Sequence, residues 1–352
     1  MPSMRLIDLT QRLADLGTLP VHSDRIIRAW LQGKLLTHGP RNQPADQVLP
    51  LSVRNGLPQL STDLDGLACV RSDHPGADGS SRLLVTLTDG QMVESVLLPR
   101  GGVCVSTQVG CAVGCRFCMT GKSGLLRQIS SMEIVAQVVL ARRARLVKKV
   151  VFMGMGEPAH NLDNVLEAID LLGTYGGIGH KNLVFSTVGD LRVFERLPLL
   201  RIKPALALSL HTTKVELREH LLPRAARITP ADLVNFGESY AHAGGYPVQY
   251  QWTLLKGIND GQDEFDAVIR LLKGKKAVLN LIPFNSLEGD DYQRPDSEHI
   301  LEIVRYLNAN GVLATIRNSA GQDIDGGCGQ LRARAVSQVP ARARRLPFQS
   351  LP

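Results

Sequence analysis

The sequence predicts an α/β protein with an incomplete (β/α)6 TIM-like barrel and a small N-terminal helical accessory domain. From residue 97 onward, short apolar runs alternate with helical stretches, which indicates a parallel sheet built from βα units. Before residue 97 the pattern changes to helical periodicity followed by a hairpin. A chain of 352 residues is long enough for one large domain and a smaller appendage.

The N-terminal part divides into a module and a hairpin. Residues 8–32 have a helical pattern, whereas residues 35–58 mix proline, glycine and polar residues, which favours loops. Residues 81–98 predict a hairpin that turns at Asp89-Gly90. We therefore expect an accessory module over residues 1–80 and a hairpin over residues 81–96 that leads into the barrel. The barrel domain is expected over residues 97–337, and residues 338–352 form an arginine-containing basic tail.

Six strands are predicted for the barrel, with helices between them. The strands are predicted at residues 102–108, 149–155, 182–188, 205–211, 248–255 and 278–284, with a possible closing segment at 313–318. The helix over residues 132–146 begins with the capping-box pattern Ser130 to Glu133, and the helix over 298–310 ends before Gly311. In a parallel barrel the active site lies at the carboxyl ends of the strands, so functional residues should follow each strand.

Composition and charge narrow the class of protein. Hydrophobic residues make up 44% and charged residues 21% of the chain, which is ordinary for a globular protein. The start lacks an apolar signal core, and no run approaches the ~18 apolar residues of a membrane helix, so we expect a cytoplasmic protein without membrane association. The net charge of +7 favours a polyanionic partner such as RNA, although many basic proteins bind no nucleic acid.

The strongest chemical signal is a group of three cysteines after the first barrel strand. Cys111, Cys115 and Cys118 form a C-x3-C-x2-C run, and three thiolates can hold a 4Fe-4S cluster with one iron left open for a ligand. A zinc site is the main alternative, but structural zinc usually takes two separated pairs of ligands, and no second pair follows at a suitable spacing.

Small polar residues follow several of the other predicted strands. They are Gly154 to Pro158, Ser186-Thr187, Ser209-Leu210-His211 and Pro283-Phe284-Asn285. Each group alone is more typical of a helix cap or a turn than of a binding site. Because all four groups follow strands of the same predicted barrel, they should meet at the carboxyl ends of its strands and form a polar pocket.

The remaining cysteines and one basic group allow more than one interpretation. Cys328 lies in a glycine-rich polar segment, which favours a reactive thiol over a structural one. For Cys104, on the first barrel strand, a buried apolar role and a reactive role are equally favoured. Cys69 is predicted to lie in the core. The basic group that includes Arg142, Arg143 and Arg145 suits either phosphate contact or the negative end of a helix.

Taken together, these motifs resemble those of the RlmN/Cfr family of radical S-adenosylmethionine (SAM) ribosomal RNA adenine methyltransferases. The similarity runs from about residue 20 to residue 331, and the motifs occur in the family's order. The motifs are residues 103–111, the cysteine run, 154–158, 209–211, 282–285 and 323–331. The resemblance implies a radical SAM barrel with a 4Fe-4S cluster on the three clustered cysteines. It also implies two SAM molecules per turnover and an N-terminal module that helps to bind RNA.

The resemblance also implies roles for individual residues. Cys328 would accept a methyl group from SAM and carry it to an adenine carbon, most simply C2, in ribosomal RNA or also in transfer RNA. Cys104 would then attack the sulfur of Cys328 and leave a disulfide, and Glu94 would accept a proton. An exposed strand glutamate is more often only a solvated charge. The residues implied in SAM binding are Gly156, Glu157, Ser186, Ser209, Leu210, His211 and Asn285.

Two departures from the family pattern concern the substrate. The family usually has Thr-Arg-Gly before the final cysteine, whereas this chain has Ser319-Ala320-Gly321, and residues 39–47 of the module are atypical. Adenine C8 methylation and sulfur insertion therefore stay open as alternatives, as does a non-catalytic iron-sulfur RNA-binding protein. We further expect a monomer that takes electrons from a donor such as flavodoxin or ferredoxin.

Overall fold

The computed structural model describes residues 4–36, 49–122, 124–285, 291–318 and 329–337. In chain order, the strands are β1 (Ala68–Pro75), β2 (Ser81–Leu87), β3 (Met92–Leu98), β4 (Gly102–Cys104), β5 (Gln108–Gly110), β6 (Leu125–Gln128), β7 (Lys149–Phe152), β8 (Leu183–Thr187), β9 (Ala205–Ser209), β10 (Val248–Leu254), β11 (Ala277–Pro283) and β12 (Ala314–Ile316). The helices are α1 (Leu6–Asp15), α2 (Pro20–Leu31), α3 (Leu51–Asp65), α4 (Met119–Lys122), α5 (Ser131–Ala144), α6 (Leu162–Thr174), α7 (Leu191–Arg196), α8 (Val215–Leu221), α9 (Pro230–Gly244), α10 (Gln262–Leu272), α11 (Ser297–Ala309) and α12 (Gln330–Ser337).

Ten of the strands form one sheet, in the order β1-β2-β3-β4-β7-β8-β9-β10-β11-β12. Strands β1 to β4 pair antiparallel, and β4 and β7 to β12 pair parallel. The parallel part consists of six strands and the closing strand β12, which confirms the predicted incomplete barrel. The first predicted strand is shorter than expected, because the chain leaves the sheet after Cys104 and pairs β5 with β6 in a separate two-stranded sheet.

The N-terminal part contains three helices, whereas the sequence pattern predicted a single helical stretch. The helical stretch at residues 8–32 is two helices, and α3 occupies residues that were expected to form loops. Four apolar residues of α3 are buried, namely Val53, Leu57, Leu60 and Leu64. Burial of one such side chain contributes about 1.5–3 kcal/mol, so together they outweigh the ~3 kcal/mol cost of Pro58 inside the helix.

The predicted hairpin is confirmed as β2 and β3, with Gly90 of the turn at φ 80°. Strand β1 pairs with β2, so the main sheet begins at Ala68, inside the predicted module of residues 1–80. The prediction that Cys69 lies in the core is wrong, because Cys69 is exposed. Cys69 lies on β1 at the edge of the sheet, where every residue of the strand after Ala68 is at least partly exposed.

Arg142 on α5 joins the N-terminal helices to the barrel. Its guanidinium donates to the carbonyl of Leu31 at 2.6 Å and to that of Gly176 at 2.7 Å. Arg143 pairs with Asp65, and Arg145 donates to a carbonyl of the β1–β2 connection. These contacts support the structural interpretation of the basic group and not the phosphate-binding one.

Alternate residues along the parallel strands separate two regions of the core. Val150 and Phe152 belong to the large core between sheet and helices, whereas Val151 packs inside the barrel with Cys104. The other buried members of this inner group are also small, namely Val96, Val184, Ala205 and Ala207. Small inner side chains leave room for a cavity above them. In the described part of the chain, no helix is long and apolar enough to cross a membrane.

Candidate active site

A cavity of about 560 Å³ lies at the carboxyl ends of the parallel strands. It brings together most of the residues that the sequence singled out. Those that line it are Cys104, Cys111, Cys115, Cys118, Gly156, Glu157, Ser186, Ser209, His211 and Asn285. Leu210 is buried beside the cavity and does not line it. The strand-end rule therefore located this cavity correctly.

The loop that carries the three clustered cysteines is fixed by the segment around α8. The backbone N–H of Arg116 donates to Leu221 O at 3.0 Å, and its Nε donates to His220 O at 2.8 Å. Further along, Arg224 N donates to Val113 O at 3.2 Å. These bonds hold the loop against α8, so the three thiols occupy defined positions on one wall of the cavity.

The surroundings of these thiols suit a positively charged metal group. Burial raises the pKa of Cys111 to about 12 and that of Cys115 well above its usual value, and each thiolate opposes ionisation of its neighbours. Bound iron would supply the positive charge that thiolates at these positions need. Among the described residues, no three His, Cys, Asp or Glu side chains are placed to share a single ion. In a cubane each cysteine binds a different iron, so these three thiols would hold three irons and leave the fourth open.

The turn after β7 is held in place by Glu157. Its Oε1 accepts from Ala159 N and its Oε2 from Val188 N, both at 3.0 Å, while its own N–H donates to Gln108 Oε1 at 2.7 Å. Gly156 has φ 104°, and a Cβ there would lie 2.6–2.8 Å from atoms of Gln108. Only glycine fits this conformation and this contact, so the turn brings bare backbone to the cavity.

His211 lies at the end of β9 as a neutral imidazole. Its Nδ1 accepts from Thr253 N at 3.0 Å, and its ring packs edge-to-face on Phe117 at a centroid distance of 4.8 Å. Burial lowers its pKa to about 3. Because Nδ1 is the acceptor, the proton is on Nε2, and the ring can offer one N–H donor to a ligand.

Cys104 lines the same cavity from the end of β4. It is 7% exposed, and burial raises the pKa of its thiol to about 11. The guanidinium groups of Arg317 and Arg82 lower that pKa in part, and both residues line the cavity. Cys104 is therefore both buried and within reach of a ligand in the cavity, which combines the two interpretations left open by the sequence.

Glu94 is buried, contrary to the solvated-charge interpretation. It is 1% exposed because β3 lies inside the sheet, and its Oε1 accepts from Arg332 N at 2.9 Å. Arg82 Nη1 is 3.6 Å from its other oxygen. Glu94 does not itself line the cavity, but its contact with Arg332 N holds the start of α12.

The segment that follows Cys328 lies at the same cavity. Cys328, the Ser319-Ala320-Gly321 departure and residues 39–47 fall outside the described residues. Gly329 has φ 90°, and a Cβ there would lie 2.6 Å from Thr120 Oγ1, beside the cysteine loop. Gln330 lines the cavity. The chain next to Cys328 therefore lies between the cysteine loop and Glu94.

Sequence reasoning missed three arginines of the site. Arg82 and Arg317 line the cavity, and Arg218 on α8 is buried behind its wall. Only Arg317 carried a recognisable signal, since it lies in the predicted closing segment at 313–318. The other two come from a hairpin strand and a helix, and only the folded arrangement brings them to the site.

Comparisons with known proteins agree with this geometry. A family model described as the radical SAM superfamily matches residues 105–272. A probable RNA methyltransferase of Stutzerimonas stutzeri is 73% identical over 342 residues, covering 97% of this chain and 100% of that protein. One from Pseudomonas aeruginosa is 69% identical over 344 residues, covering 96% and 99%. The crystal structure of a radical SAM methyltransferase from Sphaerobacter thermophilus matches with a TM-score of 0.81 at 34% identity, covering 93% of this chain and 97% of that one.

Proposed function

Since this chain belongs to the radical SAM superfamily and to a family of probable RNA methyltransferases, we propose that it methylates an adenine carbon in RNA. The observation that carries the proposal is the shared cavity. Cys104, the three clustered cysteines and the residues that follow Cys328 all meet there. A binding protein with structural cysteines would not need Cys104 as a separate buried thiol at the same cavity.

The cysteine loop would hold a 4Fe-4S cluster on Cys111, Cys115 and Cys118. When bound there, such a cluster would supply the electron for reductive cleavage of SAM to methionine and a 5′-deoxyadenosyl radical. Gly156, Ser186, Ser209 and Asn285 line the same cavity, which supports the proposal that they contact SAM. The neutral ring of His211 adds an N–H donor that stays available over the physiological pH range.

Two cysteines then handle the methyl group. The Cys328 thiolate takes a methyl from one SAM, which leaves as S-adenosylhomocysteine. The radical from a second SAM removes a hydrogen atom from that methyl group and becomes 5′-deoxyadenosine. The resulting sulfur-bound CH2 radical adds to the adenine carbon, because that electron-poor carbon is not a nucleophile and cannot displace a methyl group from SAM directly.

Release of the product depends on Glu94 and Cys104. The electron that the adduct loses would return to the cluster that was oxidised in SAM cleavage, and the proton on the attacked carbon would pass to Glu94, the proposed acceptor. The Cys104 thiolate attacks the sulfur of Cys328, the bond from sulfur to the CH2 carbon breaks, and that carbon takes up a proton. A disulfide between the two cysteines remains, and a thiol reductant must reopen it before the next turnover.

The proposed substrate is an unstacked adenine of ribosomal RNA, with C2 as the target and transfer RNA as a second substrate. A cavity at the strand ends of a barrel can only receive a base that has left its stack, which favours loops or partly folded RNA. Arg317 lies at this cavity and could contact the nucleotide, although the family's arginine before the final cysteine is replaced here by Ala320. The proposed electron donor is a flavodoxin or ferredoxin.

The test is product analysis. Protein reconstituted anaerobically with iron and sulfide is incubated with methyl-labelled SAM, reductant and unmodified ribosomal RNA, and the nucleosides are separated by mass spectrometry. We expect labelled C2-methyladenosine from the wild type, none from Cys328→Ala, and a protein–RNA adduct from Cys104→Ala. Detection of C8-methyladenosine would favour C8 methylation over the proposed reaction. Detection of a sulfur-containing base would favour sulfur insertion. Efficient methylation by Cys328→Ala would refute the proposed route.

A further inference from the structure

We propose that Arg218 is the buried counter-charge of the iron-sulfur cluster and raises its reduction potential. The inference rests on the cluster that Cys111, Cys115 and Cys118 hold in the proposed function. It adds a positioning residue that neither the motifs nor the relatives indicate.

Arg218 lies on α8, directly behind the wall of the cavity. Its side chain is buried, at 4% exposure. Its Nη2 donates to Val188 O at 2.5 Å and to Ser209 O at 3.1 Å. Val188 follows β8 and Ser209 ends β9, so the guanidinium lies at the carboxyl ends of two neighbouring strands.

No carboxylate in the described part of the chain pairs with this guanidinium. Its bonds go to backbone carbonyls, and its Nε has no hydrogen-bond partner. The charge of Glu157 acts on Arg218, but the two oxygens of Glu157 accept hydrogen bonds from Ala159 N and Val188 N. A buried cation without an anionic partner is unfavourable, so an anion is expected in the complete site.

The cysteine loop provides the position for that anion. Burial lowers the pKa of Arg218 to about 10, so the side chain stays charged at neutral pH, and Cys115 and Glu157 both favour the charged form. A cluster held by three thiolates has net negative charge, and its reduction adds one more. The net charge around a cluster is one of the factors that set its potential. A fixed cation beside Cys115 therefore favours the reduced state.

A purely structural role is the alternative. The cysteine loop is already joined to the α8 segment by backbone bonds, from Arg116 N to Leu221 O and from Arg224 N to Val113 O. Those bonds do not involve the Arg218 side chain. The charge of the guanidinium and its two bonds to carbonyls can therefore be tested separately from these backbone bonds.

The test compares two substitutions with an exposed control. Arg218→Gln keeps a side-chain donor and removes the charge, whereas Arg218→Lys keeps the charge and loses the forked donor. Arg227→Gln removes the same charge from an exposed position after α8. Each full-length protein is reconstituted with its cluster. Iron and sulfide per chain are measured, and the midpoint potential is determined by redox titration followed by electron paramagnetic resonance. Neither readout requires RNA or methyl transfer.

We expect Arg218→Gln to lower the equilibrium constant for reduction at least tenfold, which corresponds to a potential about 59 mV more negative. Arg218→Lys should stay close to the wild type, and Arg227→Gln should be unchanged because solvent screens its charge. Loss of the cluster in Arg218→Gln but not in Arg218→Lys would also support the proposal. A full cluster at wild-type potential in Arg218→Gln would overturn it, as would loss of the cluster in both variants.

Discussion

At the scale of single residues, the cysteines differ most in their surroundings. Cys69 is exposed on the edge strand β1, whereas burial raises the pKa of Cys104 to about 11. Only the thiolate reacts with alkylating agents. The free enzyme therefore keeps Cys104 unreactive, and its thiolate would have to form when the substrate adduct is in place.

This difference predicts the order of alkylation at pH 7. We expect iodoacetamide to modify Cys69 at least tenfold faster than Cys104, as measured by mass spectrometry of peptides over time. Cys69→Ser should remove the fast phase without changing the rate at Cys104. Equal rates at the two residues would show that Cys104 is more accessible or more acidic than the structure indicates.

His211 gives a prediction about pH. Its pKa is about 3 in the folded protein and near 6.5 as a model value, so between these values the unfolded chain binds one more proton. Stability contributed by the neutral ring is present above pH 6.5 and is lost as pH falls toward 3, by about 1.4 kcal/mol per pH unit. The free energy of unfolding of cluster-free His211→Gln, measured in urea, should depend on pH less steeply than that of the cluster-free wild type. The difference in slope should correspond to about one proton between pH 6 and 4.

The exposed His220 is the matched control for that measurement. His220→Gln should leave the pH dependence of the wild type unchanged. If His211→Gln has the same pH dependence as the wild type, the imidazole is not held neutral by the fold.

At the scale of elements, the contact between the N-terminal helices and the barrel depends on Arg142. Replacing it with Met removes hydrogen bonds to Leu31 O and Gly176 O. Each such bond from a charged group contributes about 1.5–3 kcal/mol. We expect Arg142→Met to lower the free energy of unfolding by about that amount or more, in denaturant titrations. Lys148→Met, an exposed change in the same basic group, should stay within about 0.5 kcal/mol of the wild type.

RNA binding distinguishes this role from phosphate contact. If Arg142 held a phosphate, its loss would reduce the salt dependence of RNA binding by about one unit of slope. We expect the slope to stay unchanged in filter-binding measurements at several salt concentrations. A shallower slope for Arg142→Met would indicate that Arg142 contacts an RNA phosphate.

The elements also show where sequence patterns were sufficient. Strands β7 to β11 were predicted within a few residues, because apolar runs between helices carry their own signal. Helix α3 was missed because Pro58 and Gly56 locally oppose a helix, and the burial of Leu57 and Leu60 that stabilises it is tertiary. The exposure of Cys69 was missed for a related reason. Cys69 lies on the edge strand of the sheet, and the sequence does not show which strand is at the edge.

At the scale of the whole molecule, the barrel joins sites that are distant in sequence. Cys104 and the residues after Cys328 are more than 200 positions apart and meet at one cavity. The cysteine run was predictable because its ligands are local. Arg218 and the contact between Glu94 and Arg332 were not, because strand order and the docking of α8 and α12 create them.

The molecule should act as a monomer. Its exposed large apolar side chains in the described part come from many elements, for example Ile7 on α1, Leu199 before β9 and Leu313 before β12, and Leu125 and Leu126 on β6 are an adjacent pair. We expect light scattering coupled to size exclusion to give a mass near 38.3 kDa. A stable species of twice that mass, independent of dilution, would contradict this expectation.

The central claim, that one SAM methylates a cysteine and a second is cleaved to a radical, is tested most directly by counting products. Reconstituted enzyme, reductant, SAM and RNA are allowed to react, and methyladenosine, S-adenosylhomocysteine and 5′-deoxyadenosine are quantified in the same sample. We expect one S-adenosylhomocysteine and one 5′-deoxyadenosine for each methyl group on adenine. Methyladenosine formed with S-adenosylhomocysteine alone would mean direct displacement and would contradict the proposed radical route.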